Sequence, residues 1–163
     1  MKNLKIRIAL LTFLAITASA VAAFAQSPSK VESVIKELVD KYETVEGVEC
    51  IVAAKGSGLE LIKMMFNKEL GKDFMKGVNR ITVIEYTSAS QSTCAALKKD
   101  IDVFPTILQE FDMNEIGDSS GNEFVRCFAA PSETNAIADF VMVLEDDSAK
   151  MLIYMAGKIV VEP

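Results

Sequence analysis

The stretch ADFVMVLEDDSAKMLIYMAGKIV, residues 138–160, decides the C-terminal half of the fold. Apolar residues fill most of 136–145 and 150–156, and the polar segment Asp146-Asp147-Ser148 separates these two runs. A third strand-like run, 123–130, precedes them across the linker 131–135. Short polar separators of this kind connect neighbouring strands as hairpins. The sequence therefore predicts an antiparallel meander of three strands.

The preceding part of the chain alternates helix-like and strand-like segments. Ser29 and Glu32 form a capping-box pattern, in which both side chains satisfy N–H groups at the start of a helix. Apolar residues then follow at helical spacing up to Tyr42. Further on, strand patterns occupy 48–53 and 80–86, and helical patterns occupy 59–70, 94–101 and a short piece that starts at Pro105.

This order of elements, α-β-α-β-α-β-β-β, predicts an α+β fold. The first two strands are joined through a helix, so we expect them to be parallel and linked by a right-handed crossover. Helices must cover the apolar face of the sheet. We therefore expect a two-layer α/β sandwich over a mixed sheet of about five strands, closed by the antiparallel meander. Residues 157–163 are expected to extend the last strand or to form a sixth.

Both faces of the late strands carry apolar residues. One alternation set holds Ile137, Val141 and Val143, and the other holds Phe140, Met142 and Leu144. An antiparallel sheet with one solvated face would alternate apolar and polar residues. Either helices cover both faces, or the uncovered face pairs with another subunit, which would give a homodimer through a sheet face.

The N-terminal segment has the pattern of a signal peptide. A basic start is followed by the uncharged apolar run 8–23, and Ala23-Phe24-Ala25 supplies the small residues of a cleavage site. We expect cleavage between Ala25 and Gln26, which divides the chain into a signal peptide, 1–25, and a single α/β domain, 26–163. The protein is then periplasmic or secreted and keeps no stable membrane span.

The mature chain is strongly acidic. The signal peptide contains three of the 17 basic residues and none of the 23 acidic ones. The mature chain therefore has 14 basic and 23 acidic residues and a net charge of −9. Such a surface repels phosphate backbones and anionic lipids. The charge disfavours nucleic acid as a partner, so the expected partner is a protein or a small ligand.

The segment Lys55-Gly56-Ser57-Gly58 lies between a predicted strand and a predicted helix, where phosphate-binding loops occur. A P-loop places its lysine after the glycines and follows it with Ser or Thr, and this segment does neither. Two interpretations stay open. The helix start and Lys55 bind a small anion, or the glycines only provide a strand-to-helix turn.

Catalytic chemistry is restricted by residue types. The chain has no histidine, which excludes Ser-His-Asp and Cys-His catalysis and removes the commonest transition-metal ligand. Of the three cysteines, Cys94 lies in the first turns of a predicted helix, where the helix dipole favours the thiolate. Cys94 is therefore the candidate nucleophile, and the alternative is a core residue, because it shares a helix face with Leu97 and Ile101. Cys50 and Cys127 fall in predicted strands, where they are either neighbours that form a disulfide or buried apolar residues.

Two further candidate sites lie in predicted loops. Asp118 and Glu123 belong to an acidic segment that could hold a cation, although the segment lacks the alternating ligand order of a calcium loop. Ser148 follows Asp147 and precedes Ala149, a pattern that resembles the O-glycosylation sequence of some exported Gram-negative proteins. Nothing in the sequence indicates a cofactor.

These features together carry a family resemblance. The signal peptide, the helix-to-strand opening over 41–53 and the closing meander over 138–160 resemble a domain-of-unknown-function family of small exported proteins of Gram-negative bacteria. The resemblance implies no activity and assigns no functional residue. We expect a non-enzymatic binding or interaction module, with roles in envelope maintenance or signalling. The alternative is a hydrolase or a thiol-dependent enzyme that uses carboxylates or Cys94.

Overall fold

The sheet is the central element of the structure, a computed structural model that describes residues 29–70, 75–111, 124–130, 136–145 and 149–160. Its six strands lie in the order β1-β2-β6-β5-β4-β3. The strands are β1 (Glu49–Ala53), β2 (Val78–Glu85), β3 (Gln109–Phe111), β4 (Phe124–Ala129), β5 (Ala136–Glu145) and β6 (Lys150–Val160).

Within the described residues, three helices of 11 to 14 residues and one short helical turn accompany the sheet. They are α1 (Lys30–Tyr42), α2 (Ser57–Leu70), α3 (Gln91–Ile101) and the turn α4 (Phe104–Ile107). The hydroxyl of Ser29 accepts a hydrogen bond from the Glu32 N–H at 3.0 Å, so the Ser29 half of the predicted capping box is confirmed. The Glu32 carboxylate forms an ion pair with Arg80.

Every strand pairing is antiparallel, and the predicted meander β4-β5-β6 is confirmed. The prediction of a mixed sheet with parallel β1 and β2 is wrong. Ala53, at the end of β1, pairs with Ile81, near the start of β2. The chain therefore leaves β1 and enters β2 at the same end of the sheet. Helix α2 is an excursion within a hairpin and not a crossover, so the handedness rule for parallel strands does not apply.

The described residues form six strands and not the expected five, because β3 was not predicted. It has three residues, too few to display an alternating pattern, and it follows α4 directly. Pairing fixes it as a strand, since Gln109 lies opposite Ala129 of β4. The C-terminal residues extend β6 as far as Val160, which was one of the two expected outcomes for that segment.

Helices lie on both faces of the sheet, so the two-layer description is too simple. In β6, Leu152 and Tyr154 belong to a core cluster with α1 and α3, whereas Ile153 and Met155 belong to a second cluster with α2. Side chains alternate between the two faces along a strand. This arrangement explains the apolar residues in both alternation sets, and each fully buried aliphatic side chain contributes about 1.5–3 kcal/mol.

A distortion of the sheet surrounds Gly157 in β6. The pairing of β2 with β6 shifts register between Val78 and Arg80, opposite this glycine. Gly157 has φ +133°, and a Cβ there would lie 2.2 Å from the carbonyl oxygen of Gly77. Only glycine fits both the backbone conformation and the close approach of the two strands.

Candidate functional site

The predicted glycine loop forms the connection between β1 and α2. Gly56 has φ +79°, and a Cβ at this position would meet nothing within 4 Å. The demand for glycine therefore comes from backbone conformation and not from a close neighbour. The Gly56 carbonyl accepts the first bond of the helix from the Glu60 N–H at 3.2 Å. This geometry is that of a strand-to-helix turn, and anion binding by Lys55, Ser57 and Gly58 stays a prediction.

Other predicted site residues lie outside the described part of the chain. They are the cleavage pair Ala25 and Gln26, the candidate cation ligands Asp118 and Glu123, and the candidate modification site Ser148. Among the described residues, no group of three or more Cys, Asp or Glu side chains is arranged to hold a metal ion. The described helices also include none that is long and apolar enough to cross a membrane.

Cys94 lies in the first turn and a half of α3, as the sequence predicted. The hydroxyl of Ser90 caps this helix by accepting from the Thr93 N–H at 3.1 Å, and the Cys94 N–H donates to the Ser90 carbonyl at 2.9 Å. The thiol is half-buried and packs against the edge of the core under α3. Its Sγ lies 3.7 Å from the carbonyl oxygens of both Tyr86 and Ala89.

An ammonium group lies beside this thiol. Lys150 Nζ is 3.9 Å from Cys94 Sγ, although the two residues are 56 positions apart. The backbone of Lys150 is fixed on both sides, because its N–H donates to Thr87 Oγ1 at 2.9 Å and its carbonyl accepts from the Tyr86 N–H at 2.9 Å. The start of β6 is thereby attached to the connection between β2 and α3, which places the lysine next to the cysteine.

Three more side chains complete this group. The Tyr86 hydroxyl donates to Glu145 Oε1 at 3.0 Å, and Lys98 Nζ donates to Glu145 Oε2 at 3.2 Å. Burial, and then the neighbouring charge of Glu145, raises the pKa of Tyr86 well above its ordinary value, so the phenol stays a proton donor. We call this group the Cys94 cluster: Tyr86, Cys94, Lys98, Glu145 and Lys150.

The Cys94 cluster has a local excess of positive charge in an acidic protein. It contains two ammonium groups, those of Lys98 and Lys150, and one carboxylate, that of Glu145. Reactive cysteines are found in electropositive, partly exposed surroundings of this kind. Sequence reasoning found Cys94 through its position in the helix. It missed Lys150, because only the pairing of β6 with β2 brings this residue to the start of α3.

The other two cysteines are in different surroundings. All three thiols are free. Burial is the main cause that raises the pKa of the Cys50 thiol to about 11, and the charge of Glu43 adds to it. Burial is also the main cause that raises the pKa of the Cys127 thiol to about 12, with a smaller effect from the charge of Glu110. These two thiols are held in their unreactive neutral form.

A disulfide between Cys50 and Cys127, which the sequence left open, is incompatible with the sheet order. Cys50 is in β1 and Cys127 is in β4, four strand positions apart. Strand spacing of about 4.8 Å separates them by roughly 19 Å. Bridged cysteines require Cα atoms less than about 7 Å apart.

Two acidic side chains on the α1 and α3 side of the sheet, Asp100 and Glu110, are held in ion pairs. Burial alone would raise the pKa of Asp100, but hydrogen bonds from Lys41 Nζ at 2.6 Å and Tyr42 OH at 2.8 Å outweigh it, and the pKa is lowered. A hydrogen bond from Arg126 Nε, 2.8 Å long, lowers the pKa of Glu110. Both groups are carboxylates at neutral pH and are unsuited to act as general acids.

Helix α2 has apolar residues on its outer side as well as its inner side. Leu59 and Ile62 are 5% exposed and pack against the sheet, whereas Leu61 is 37% and Met64 is 60% exposed. Residues three apart on a helix are neighbours on one face, so Leu61 and Met64 form a continuous apolar surface. We call this pair the α2 surface. Glu60, also exposed, lies beside it.

Comparison with known proteins gives no relative. A scan against protein-family models found no match, and searches of curated proteins and of solved structures also returned none.

Proposed function

We propose that the mature chain is an exported, non-enzymatic module that binds a protein partner through the α2 surface. The observation that carries this proposal is the 60% exposure of Met64 beside Leu61. Methionine is flexible and polarisable, which suits it to contacts with another protein. The ion pairs of Asp100 and Glu110 support a non-enzymatic role, because they leave neither carboxylate available as a general acid.

The charge of the protein indicates the chemistry of the partner. With a net charge of −9 after removal of residues 1–25, the chain attracts basic surfaces at long range. The occupant that fits the α2 surface is therefore a protein that offers an apolar patch bordered by Lys or Arg. A homodimer through a sheet face has less support, because helices already pack on both faces and two copies of an acidic chain repel each other.

Site-specific photocrosslinking tests the α2 surface. A photoreactive amino acid at Met64 is expected to form one adduct with an envelope protein, and the same group at Ala96, exposed on α3, serves as the matched control. Leu61→Glu should abolish the Met64 adduct, and high salt should weaken it. Equal adducts at both positions, an adduct between two copies of this chain, or no protein adduct at all would contradict the proposal.

Export is part of the proposal and has its own test. We infer a periplasmic or secreted location from the leader over 1–25, and the expected mature chain begins at Gln26. Intact mass of the protein recovered from its native host should match this mature chain. Retention of residues 1–25, or recovery in the cytoplasm alone, would count against export. The same spectrum shows whether Ser148 is glycosylated.

A thiol-dependent enzyme is the second candidate function, and Lys150 is the observation that favours it. The Lys150 ammonium lies 3.9 Å from Cys94 Sγ, and cysteine nucleophiles are found beside cationic groups. Hydrolysis of an activated ester is the simplest assay, with Cys50→Ala as the matched cysteine control. Turnover lost in Cys94→Ala and kept in Cys50→Ala would establish thiol catalysis. Equal rates for the wild-type protein, Cys94→Ala and Cys50→Ala would exclude thiol catalysis.

A further inference from the structure

We propose that Cys94 and Lys150 form a redox-controlled covalent crosslink, in which a peroxide oxidises the sulfur and the lysine nitrogen then bonds to it. This inference is independent of partner binding at the α2 surface. It rests on the 3.9 Å separation of Sγ and Nζ, and on the two backbone hydrogen bonds that hold Lys150 in place.

Both atoms are positioned for this reaction. The cysteine backbone is fixed by the first turn of α3, and the lysine backbone is fixed at the start of β6. Bond formation therefore requires side-chain movement only. Cys94 is half-buried and not fully buried, and hydrogen peroxide is among the smallest oxidants of a thiol.

The reaction balances in two steps. The Cys94 thiolate attacks hydrogen peroxide, the O–O bond breaks, and the products are a sulfenic acid and hydroxide, so sulfur loses two electrons and the peroxide gains them. Hydroxide then takes a proton from the Lys150 ammonium to form water. The neutral amine attacks the sulfenic sulfur, a sulfenamide N–S bond forms, and the S–O bond breaks with release of a second water.

The choice of cysteine and of lysine follows from the surroundings. The raised pKa values of Cys50 and Cys127 keep those thiols protonated and slow towards peroxide. Lys98 is also in the Cys94 cluster, but its ammonium is bound to Glu145 Oε2. Lys150 is the amine in contact with the sulfur.

The crosslink would change the local connectivity. It replaces the Lys150 ammonium and the Cys94 thiolate by one neutral group, and it ties the start of α3 to the start of β6, segments that are 56 residues apart in the chain. A thiol reductant reverses a sulfenamide, so the change would be a switch and not permanent damage.

Peptide mapping after treatment of the purified protein with hydrogen peroxide tests the proposal. The expected product is lighter by about 2 Da, contains the Cys94 and Lys150 peptides joined, resists trypsin at Lys150, and returns to the starting mass with dithiothreitol. Lys150→Arg should stop at the sulfenic acid, heavier by about 16 Da. Lys98→Arg and Cys50→Ser are the matched controls and should still form the crosslink.

Three results would overturn the proposal. They are equal sulfenic acid yields in the wild-type protein and in Lys150→Arg, a crosslink to Lys98, and a disulfide between two copies as the main product. Circular dichroism of each variant before oxidation separates a misfolded protein from a folded one. Because the wild-type map alone identifies the joined residues, the result does not depend on the variants.

Discussion

The Ser29 hydroxyl donates a 3.1 Å hydrogen bond to Oδ1 of Asp139, a residue 110 positions further along the chain. The same hydroxyl oxygen caps α1 by accepting from the Glu32 N–H. Asp139 is 9% exposed, and its Oδ1 also accepts from the Tyr154 hydroxyl at 2.7 Å. One serine therefore stabilises a helix start and a buried carboxylate together.

Ser29→Ala is expected to destabilise the protein more than Ser90→Ala. Each change removes a helix cap, which costs about 1 kcal/mol. Ser29→Ala also removes a hydrogen bond to a buried charged acceptor, so we expect a total of about 2 kcal/mol. Urea unfolding measures the free energy of unfolding of both variants, and unchanged m-values would show that the two losses can be compared directly. Equal losses in the two would show that the bond between Ser29 and Asp139 contributes nothing.

Gly157→Ala and Gly58→Ala are expected to have opposite effects. A Cβ at Gly157 would lie 2.2 Å from the Gly77 carbonyl oxygen at φ +133°, so this change should cost more than about 2 kcal/mol. A Cβ at Gly58 meets nothing within 4 Å inside α2, and alanine there should add up to about 1 kcal/mol of stability. The midpoint of thermal unfolding should fall for Gly157→Ala and rise for Gly58→Ala. An unchanged midpoint for Gly157→Ala would mean that β2 and β6 approach each other less closely than described.

Arg126 is expected to stabilise the sheet edge in a pH-dependent manner. Its Nε and Nη2 donate to the two carboxylate oxygens of Glu110, and its Nη1 donates to Asp102. Because these groups are partly exposed, Arg126→Met should cost only about 1 kcal/mol at pH 7. Methionine keeps an apolar side chain near Phe128, over which the guanidinium lies.

The sign of this dependence follows from the pKa of Glu110, which Arg126 lowers. A lowered folded-state pKa gives stability that is present above the unfolded pKa and is lost as the pH falls through the folded one. The difference between wild type and Arg126→Met should therefore shrink as the pH falls from about 5 to 3. Lys36→Met, an exposed charge on α1, is the control, and a difference independent of pH would contradict the ion pair.

Cys50 is expected to make the protein less stable in alkali. Burial, and then Glu43, raises the pKa of its thiol to about 11. A raised folded-state pKa gives stability that is present below the unfolded pKa, near 9, and is lost as the pH rises towards 11. Cys50→Ala should flatten the fall in unfolding free energy across this range. Val52→Ala, on the same strand and face, should leave the slope unchanged.

The sequence was sufficient to predict elements whose signals are local. The Ser29 cap, the α2 periodicity and the meander over 123–156 depend on neighbouring residues, and the structure confirms them. The direction of β1 relative to β2 and the existence of β3 depend on pairing between distant segments. No local pattern encodes that pairing, so both were missed.

The same division applies to the candidate site. Cys94 was identifiable because its place in the first turns of α3 is a local property. Lys150 and Glu145 were not, because they reach Cys94 and Tyr86 only through the sheet register. One lysine among many has no distinguishing pattern until the strand that carries it is paired.

The central position of β6 has a consequence for how the chain matures. It lies between β2 and β5, so β1 and β2 are joined in the sheet to β5, β4 and β3 only by the last of the six described strands. A chain still emerging from the ribosome cannot close its sheet before residues 150–160 appear. Such late closure leaves the nascent polypeptide without a complete sheet, which is compatible with the export proposed above if the chain crosses the membrane unfolded. The position of β6 in the sheet therefore delays completion of the fold until residues 150–160 have been made.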